Sequence, residues 1–335
     1  MWAFTIEEER AGGLRAPLRR LRVAANHGLG VDMLKLFRYS RWDVIPALCG
    51  VAQVAFLLWT FLAFPSLPLW AIIPSFIIVM MAYCWNLQCI SHNFIHNPFF
   101  TSAWLNRLYG LLETIAIGMP HILYHHYHLN HHAGDNDAVG PSGTTRDWSS
   151  TYRYGKNGQP EAFWRYTLLS FFRVEIIPVV KVAIRHGREH ILQCIAETLL
   201  LGGFWVAMAL VDWRYLFYFY VPSFFFGWVI SYAEGYLEHK DTKPGNAFAN
   251  SVSSYNWLYN VLWFNNGYHQ EHHWDPKRHW TKMKSLHSEL KPKLDAHGLK
   301  VLRGPHLTTH LEELLFGRRQ PVKMQVQETP LEKAA

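Results

Sequence analysis

The chain has 335 residues, of which 50% are hydrophobic, 16% aromatic and only 17% charged. This composition is more apolar than that of ordinary soluble proteins and favours a membrane protein. The formal net charge of +7 could suit a nucleic-acid partner. However, no zinc-finger or RNA-binding motif is present, and the basic residues lie beside apolar segments. They are better suited to anionic lipid headgroups or to an acidic soluble partner, so no nucleic-acid partner is expected.

Residues 1–43 form a polar N-terminal segment that we expect to lie in the cytoplasm. Its basic residues precede the first apolar segment and include Arg15, Arg19, Arg20, Arg22, Lys35, Arg38 and Arg41.

Four apolar segments are each long enough to cross a bilayer, which requires about 20 apolar residues. They are residues 44–64, 67–89, 191–211 and 215–233. Short outer connections join them into two hairpins, and these connections contain a single basic residue, Arg214. The bias of Lys and Arg towards the other side places both termini and residues 90–190 in the cytoplasm. The predicted fold is an all-α integral membrane protein with four transmembrane helices and a cytoplasmic, histidine-rich helical cap.

Two weaker apolar stretches, residues 105–124 and 163–182, contain charged residues such as Glu113 and Arg173. We interpret them as interfacial or re-entrant helices. Residues 291–335 form a polar, peripheral C-terminal tail, so the membrane domain is expected to extend over residues 44–290.

Histidine is the most unusual feature of the composition, with 20 residues, and many of them form three clusters. The clusters are His92 and His96; His128, His131 and His132; and His269, His272 and His273. Spacing of i, i+4 or of i, i+3, i+4 puts the imidazoles of each cluster on one helix face. The predicted topology puts all three clusters on one side of the membrane. Eight imidazoles packed there without a metal would leave many buried polar groups unpaired, so a metal site is predicted.

The number of histidines helps to choose the metal, because imidazole itself suits Zn, Cu, Fe and Ni. A catalytic zinc ion uses about three protein ligands, whereas eight or nine histidines suit two ions. Two redox-active irons fit best. A zinc hydrolase would need a general base as in HExxH, but Asn93 stands at that position of the first cluster. A metal transporter would need ionisable residues within its spans, where only Glu197 lies deep.

The order and spacing of the clusters resemble those of the membrane fatty acid desaturase and hydroxylase superfamily over residues 44–285. That family has an HxxxH or HxxxxH box, an HxxHH box and a late (H/Q)xxHH box. In that family, a transmembrane hairpin separates the last two boxes. Here, residues 191–233 separate the second and third clusters in the same way. The resemblance implies a di-iron centre, with the eight clustered histidines as its ligands.

A fourth element, Gly235-Tyr236-Leu237-Glu238-His239, follows the last span. It resembles the Asn-Tyr-x-Glu-His box of alkane hydroxylases, with Gly235 in the place of Asn. By this similarity His239 is a ninth candidate ligand, and the alternative is a helix-terminal histidine that faces headgroups.

Several other residues lie near these clusters in the sequence. His125 and His126 are extra to the family pattern and are left out of the predicted ligand set. Carboxylates that could orient ligand imidazoles through their free N–H groups are Asp135, Asp137 and Glu271. Candidates for completing the iron coordination, binding substrate or capping helices are Glu234, Asn265 and Asn266. No catalytic residue beyond the metal ligands is predicted.

The resemblance implies that O2 and two electrons are used to oxidise an unactivated C–H bond of a fatty acyl or lipid chain. A double bond, an alcohol or, by loss of a carboxylate, a terminal alkene could result. The three boxes favour desaturation, whereas the Tyr-Leu-Glu-His element favours hydroxylation. The sequence has no cytochrome b5 motif, ferredoxin cysteine pattern or dinucleotide fingerprint, so a separate ferredoxin or cytochrome is expected to donate the electrons.

Overall fold

The computed structural model describes residues 36–316, and these are mostly helical. The predicted basic residues Arg15, Arg19, Arg20, Arg22 and Lys35, and residues 317–335 of the predicted tail, lie outside the described residues. In chain order the α-helices are α1 (Val44–Ala63), α2 (Leu69–Trp85), α3 (Ser91–His96), α4 (Ala103–Ile117), α5 (His121–Gly134), α6 (Phe163–Leu169), α7 (Ile176–Arg185), α8 (Arg188–Tyr215), α9 (Val221–Leu237), α10 (Trp257–Leu262), α11 (His269–Trp274), α12 (Met283–His297) and α13 (His306–Phe316). Two short strands are β1 (Val252–Ser254) and β2 (Lys300–Leu302).

Within residues 36–316, three helical segments are long and apolar enough to cross a membrane. They are Arg41–Ser66, Leu69–His96 and Arg188–Leu237. Large apolar side chains such as Leu62, Trp70 and Leu210 are exposed on their surfaces. Helices that are apolar on their outer faces as well as their inner ones are typical of membrane spans. The prediction of a helical membrane protein is therefore confirmed.

The third segment bends sharply at Asp212, whose φ of −151° and ψ of 91° are not helical. The Asp212 carboxylate accepts hydrogen bonds from the backbone N–H and the side chain of Arg214, both at 3.1 Å. Across this turn, Trp205 Nε1 donates a hydrogen bond to the hydroxyl of Tyr220 at 3.0 Å. Trp205 and Tyr220 are 15 positions apart. In an unbroken helix, this separation would correspond to about 22 Å. Helices α8 and α9 therefore run side by side.

The α1–α2 turn and the α8–α9 turn lie next to each other at one end of the bundle. The hydroxyls of Thr60 and Tyr215 are 2.8 Å apart, and the ring of Phe64 packs 5.3 Å from that of Tyr215. Because a helix of 20 residues is about 30 Å long, the other ends of these helices lie far from the turns. At that opposite end the chain continues into His92 and His239.

Close packing of α2 against α9 aligns the ends that lead to the histidines. A Cβ atom at Gly227 would lie 2.5 Å from Tyr83 Cβ and 2.7 Å from the carbonyl oxygen of Met80, so only glycine fits at this position. Nearer the histidines, Gln88 Nε2 donates to the carbonyl oxygen of Ser231 at 2.9 Å. These contacts hold the first histidine cluster beside the end of α9.

The predicted single helix over residues 105–124 is two helices, α4 and α5. Helix α4 ends at Gly118, whose φ of 70° is left-handed, and Pro120 precedes α5. A left-handed glycine followed by proline terminates a helix, so α5 starts in a new direction. The predicted helix over residues 163–182 is likewise divided into α6 and α7 by the turn Ser170–Arg173. The sequence indicated helical content here but not these breaks.

Residues beyond the predicted boundary at 290 also contact the domain, as far as Glu313, whose carboxylate lies 3.7 Å from Lys240 Nζ. Strand β2 pairs in parallel with β1, which precedes the third histidine cluster. His306 at the start of α13 is fully buried, and its Nε2 lies 3.0 Å from the carbonyl oxygen of Val252.

Candidate metal centre

All nine histidines proposed from the sequence lie in two adjacent groups. Within each group, one ring nitrogen from every histidine lies within 4.8 Å of those of the others. Group one comprises His92, His96, His128, His132 and His272. Group two comprises His131, His239, His269 and His273. The sequence analysis left two alternatives for His239, a metal ligand or a histidine that faces lipid headgroups. In the structure, His239 belongs to group two.

The ring nitrogens of group one converge through their Nε2 atoms. His92 Nε2 lies 2.7 Å from His272 Nε2, and His96 Nε2 lies 2.8 Å from His128 Nε2. His132 Nε2 is 3.0 Å from His128 Nε2 and 3.1 Å from His272 Nε2. Helices α3, α5 and α11 therefore contribute their imidazoles to one small space.

Group two converges in the same way. His239 Nε2 lies 3.2 Å from His131 Nε2 and 3.5 Å from His269 Nε2. The Nε2 atom of His273 is buried and has no hydrogen-bond partner among residues 36–316. A buried nitrogen without a partner is costly in free energy unless an ion satisfies it.

The spacing of the rings fits imidazoles that share a metal ion. With a metal–nitrogen bond of about 2.1 Å and a further distance of about 1.2 Å to the ring centre, ligands at about 90–110° have ring centres about 4.6–5.4 Å apart. In group one the His96 and His132 ring centres are 4.6 Å apart. In group two the His131 and His239 ring centres are 5.0 Å apart. The donor set and its geometry therefore fit one transition-metal ion in each group.

Neutral imidazoles are the form that binds a metal, and burial favours this form here. Burial, assisted by the neighbouring imidazoles, lowers the pKa of His128, His132 and His272 well below its usual value. These side chains are therefore neutral at neutral pH, and one nitrogen of each ring has a lone pair instead of a proton.

Two carboxylates, the buried Asp147 and the partly exposed Asp135, fix the orientation of two rings in group two. Asp147 Oδ2 accepts a hydrogen bond from His131 Nδ1 at 2.7 Å, and Asp135 Oδ1 accepts one from His273 Nδ1 at 2.7 Å. Burial lowers the pKa of His131 but the Asp147 carboxylate raises it, and the net shift is upward. With Nδ1 as the donor in each ring, the lone pair of Nε2 faces the group. The backbone carbonyl of Asn250 holds His239 Nδ1 similarly, at 3.0 Å.

Asp147 was missed by the sequence analysis, because it lies in a loop well after the second cluster and no motif spacing marks it. The proposed Asp137 supports it indirectly, since an Asp137 carboxylate oxygen accepts a hydrogen bond from the backbone N–H of Asp147 at 3.0 Å. Glu271 does not orient a group histidine. Its carboxylate instead contacts Tyr255 and His287, at 2.8 Å and 2.6 Å.

The other three polar residues singled out from the sequence contact protein groups rather than the histidine groups. Glu234 accepts a hydrogen bond from the backbone N–H of Leu307 and so caps α13. The side chain of Asn265 donates to the carbonyl oxygen of Trp280 at 2.9 Å. The side chain of Asn266 donates to Glu238 at 3.1 Å.

Comparison with known proteins decides the family. The family model for fatty acid desaturases matches residues 68–304, which contain every histidine of both groups. The chain belongs to the fatty acid desaturase family. It is also 26% identical over 305 residues to the sphingolipid delta(4)-desaturase of Schizosaccharomyces pombe, with 87% of this chain and 78% of that protein covered. Membership makes the protein an oxidoreductase of the lipid desaturase type.

The protein contains a cavity of about 90 Å³ that opens to the surface and reaches both histidine groups. His92 and His128 of group one and His131, His239 and His269 of group two line it. Aromatic side chains form much of the remaining wall, namely Tyr124, Tyr127, Tyr166, Trp228 and Tyr232. These aromatic side chains make the space beside both groups narrow. Such a space can hold methylene groups and exclude water from them.

A second, apolar groove lies next to this cavity. It has a volume of about 530 Å³, and its lining includes Phe171 and Phe224. The ring of Phe224 is 6.2 Å from that of Trp228, which lines the cavity. Aromatic side chains thus extend without a break from the surface of α9 to the histidines.

Proposed function

We propose that this protein is an O2-dependent di-iron desaturase that introduces a double bond into the hydrocarbon chain of a membrane lipid, and that this lipid is a sphingolipid. The observation that carries the proposal is the cavity that reaches both histidine groups. The substrate class is proposed from the similarity to the sphingolipid delta(4)-desaturase.

The nine group histidines would hold two iron ions. When bound, the ions supply the oxidising power, with O2 and two electrons, to remove hydrogen from an unactivated C–H bond. Two adjacent carbons each lose one hydrogen, and O2 is reduced to two water molecules by these hydrogens, two electrons and two protons. The electrons come from a separate ferredoxin or cytochrome, which we expect to dock on the basic cytoplasmic face.

The protein's own residues position the chain and keep water away from it. Tyr124, Trp228 and Tyr232 surround the space next to His92 and His239. The lipid tail would continue along the apolar groove, where contacts with its aromatic lining replace the contacts that the tail makes with other lipids in the bilayer. The distance that the lipid tail extends along this path would determine which of its carbons lie next to the histidine groups and are oxidised.

Hydroxylation is the second candidate, favoured by the position of His239. The Tyr-Leu-Glu-His element resembles that of alkane hydroxylases, and His239 is close to His131 and His269 in group two. The same first removal of hydrogen would precede an alcohol.

Expression of the full chain in cells fed a saturated sphingoid base and a saturated fatty acid tests this proposal. We expect a new double bond in the sphingolipids, and none in cells that express the His272→Ala/His273→Ala variant at the same level. The measurement is mass spectrometry of extracted lipids. A new hydroxyl group would favour the second candidate, a change in fatty acids alone would overturn the substrate class, and unchanged lipids would overturn the proposal.

We also propose that α8 and α9 cross the membrane separately, which gives four spans with the termini and the metal centre in the cytoplasm. The reversal of direction at Asp212 supports this arrangement, because it puts Arg214 at the end of the bundle opposite the histidines.

Cysteine labelling tests this topology. We expect a membrane-impermeant thiol reagent to label Arg214→Cys in intact cells, because residue 214 lies in the outer turn. Lys284→Cys on α12 should react only after permeabilisation. The unsubstituted protein, whose cysteines lie in apolar helices, is the control for background labelling. The opposite pattern would reverse the proposed orientation, and labelling of neither site in intact cells would contradict the outer position of residue 214.

A further inference from the structure

Histidines outside the two groups form another cluster where α5 meets the α7–α8 junction. His126 on α5 is buried, His186 follows α7 and is exposed, and His190 in the first turn of α8 is half-buried. Gly187 permits the tight turn between α7 and α8 because its φ of 96° is left-handed. The turn brings His186 and His190 to the same side of the protein, against His126.

The contact between His126 and His190 is of the same kind as those in the metal centre. His126 Nε2 lies 3.1 Å from His190 Nδ1. In the described part of the chain, every other pair of histidine rings joined nitrogen to nitrogen at hydrogen-bond distance belongs to group one or group two.

The centres of the three rings are also spaced as those of ligands on one ion are, although the ring nitrogens do not all converge within 4.8 Å as they do in groups one and two. Ring centres are 4.5 Å apart for His126 and His186, 5.1 Å for His126 and His190, and 5.3 Å for His186 and His190. Imidazoles at about 90–110° on one ion have ring centres about 4.6–5.4 Å apart. The observed distances span nearly the same range.

The tautomer of His186 leaves a nitrogen available. Its Nδ1 lies 2.9 Å from the backbone carbonyl oxygen of Val182, so Nδ1 carries the hydrogen and Nε2 presents a lone pair. No hydrogen bond joins His186 to the other two rings within residues 36–316, and its exposure allows the ring to turn towards an ion. Nearby, Glu189 is paired with Arg107, so these two opposite charges offset each other beside the cluster.

We propose that His126, His186 and His190 bind one divalent transition-metal ion at a third site, separate from the di-iron centre. Imidazole ligands suit Zn²⁺, Fe²⁺, Ni²⁺ and Cu²⁺. His126 is the inner ligand, and the two outer ligands open the site to solvent. Three protein ligands leave a coordination position for water, so the ion exchanges with the surroundings more readily than ions in the buried groups. The site does not depend on the proposed oxidation reaction.

Zinc binding to the full-length protein in detergent tests this proposal. Iron-loaded wild-type protein is equilibrated with Zn²⁺ and desalted, and zinc and iron are measured by mass spectrometry. We expect about one zinc ion per chain in the wild type, and loss of that zinc in the His186→Ala/His190→Ala variant. Iron should be unchanged in both proteins, because neither substituted residue belongs to group one or group two.

The matched control is His297→Ala, which removes an exposed histidine far from this cluster in sequence. It should bind zinc like the wild type. The single variant His186→Ala, at the most exposed position, guards against misfolding of the double variant and should bind zinc more weakly than the wild type. Equal zinc in the wild type and the double variant would overturn the site, as would the absence of bound zinc in the wild type.

Discussion

Replacement of His272 by Ala is expected to remove iron from group one, and replacement of His273 by Ala to remove it from group two. The two residues are neighbours on α11, yet they belong to different groups. The wild type should hold about two iron ions per chain, each single variant about one and the double variant almost none. Desaturation should fall by at least about 100-fold in every variant, because two ions are needed together.

Metal analysis of the purified protein, paired with lipid profiling of the same cells, measures both effects. His297→Ala is the control, because this exposed histidine lies outside both groups and should keep full iron and activity. Loss of both irons in each single variant would contradict two separately filled sites. Retention of about two irons in the double variant would contradict the ligand assignment altogether.

The assignment of neighbouring histidines to different groups could not be obtained from the sequence. Residues that follow each other on a helix point about 100° apart, so His131 and His132 on α5 necessarily face different directions. Spacing correctly predicted that the histidines come together. It did not indicate which imidazoles from α3, α5, α9 and α11 meet, since that depends on how the helices cross.

The presence of long apolar helices of membrane type was predicted correctly, because long apolar segments have few alternative structures. The helix breaks within residues 90–190 were not predicted, although Gly118 and Pro120 mark one of them in the sequence. Asp147 was missed for another reason. In a sequence, a carboxylate in a loop looks like any exposed polar residue. The fold buries this one fully beside His131.

Replacement of Asp147 by Asn is expected to weaken metal binding in group two by about 10–100-fold while group one keeps its iron. Besides His131, the carboxylate accepts hydrogen bonds from Ser149 Oγ at 2.7 Å and from the backbone N–H of Asn136 at 3.0 Å. Asn keeps the shape but loses the charge, and its amide can present N–H in place of an acceptor. His131 then loses the partner that holds Nδ1 protonated and directs Nε2 into the group.

Titration of iron-loaded protein with increasing chelator concentrations measures this effect. The variant should lose about one iron at a chelator concentration that leaves the wild type intact, and the second iron should leave at the wild-type concentration. Asp275→Asn is the matched control, because that carboxylate is partly exposed and pairs with Arg278. Identical curves for Asp147→Asn and the wild type would show that the Asp147 charge does not act on group two. Simultaneous loss of both irons would show that the two groups depend on each other, because α5 carries ligands of both and the loop of Asp147 packs against it.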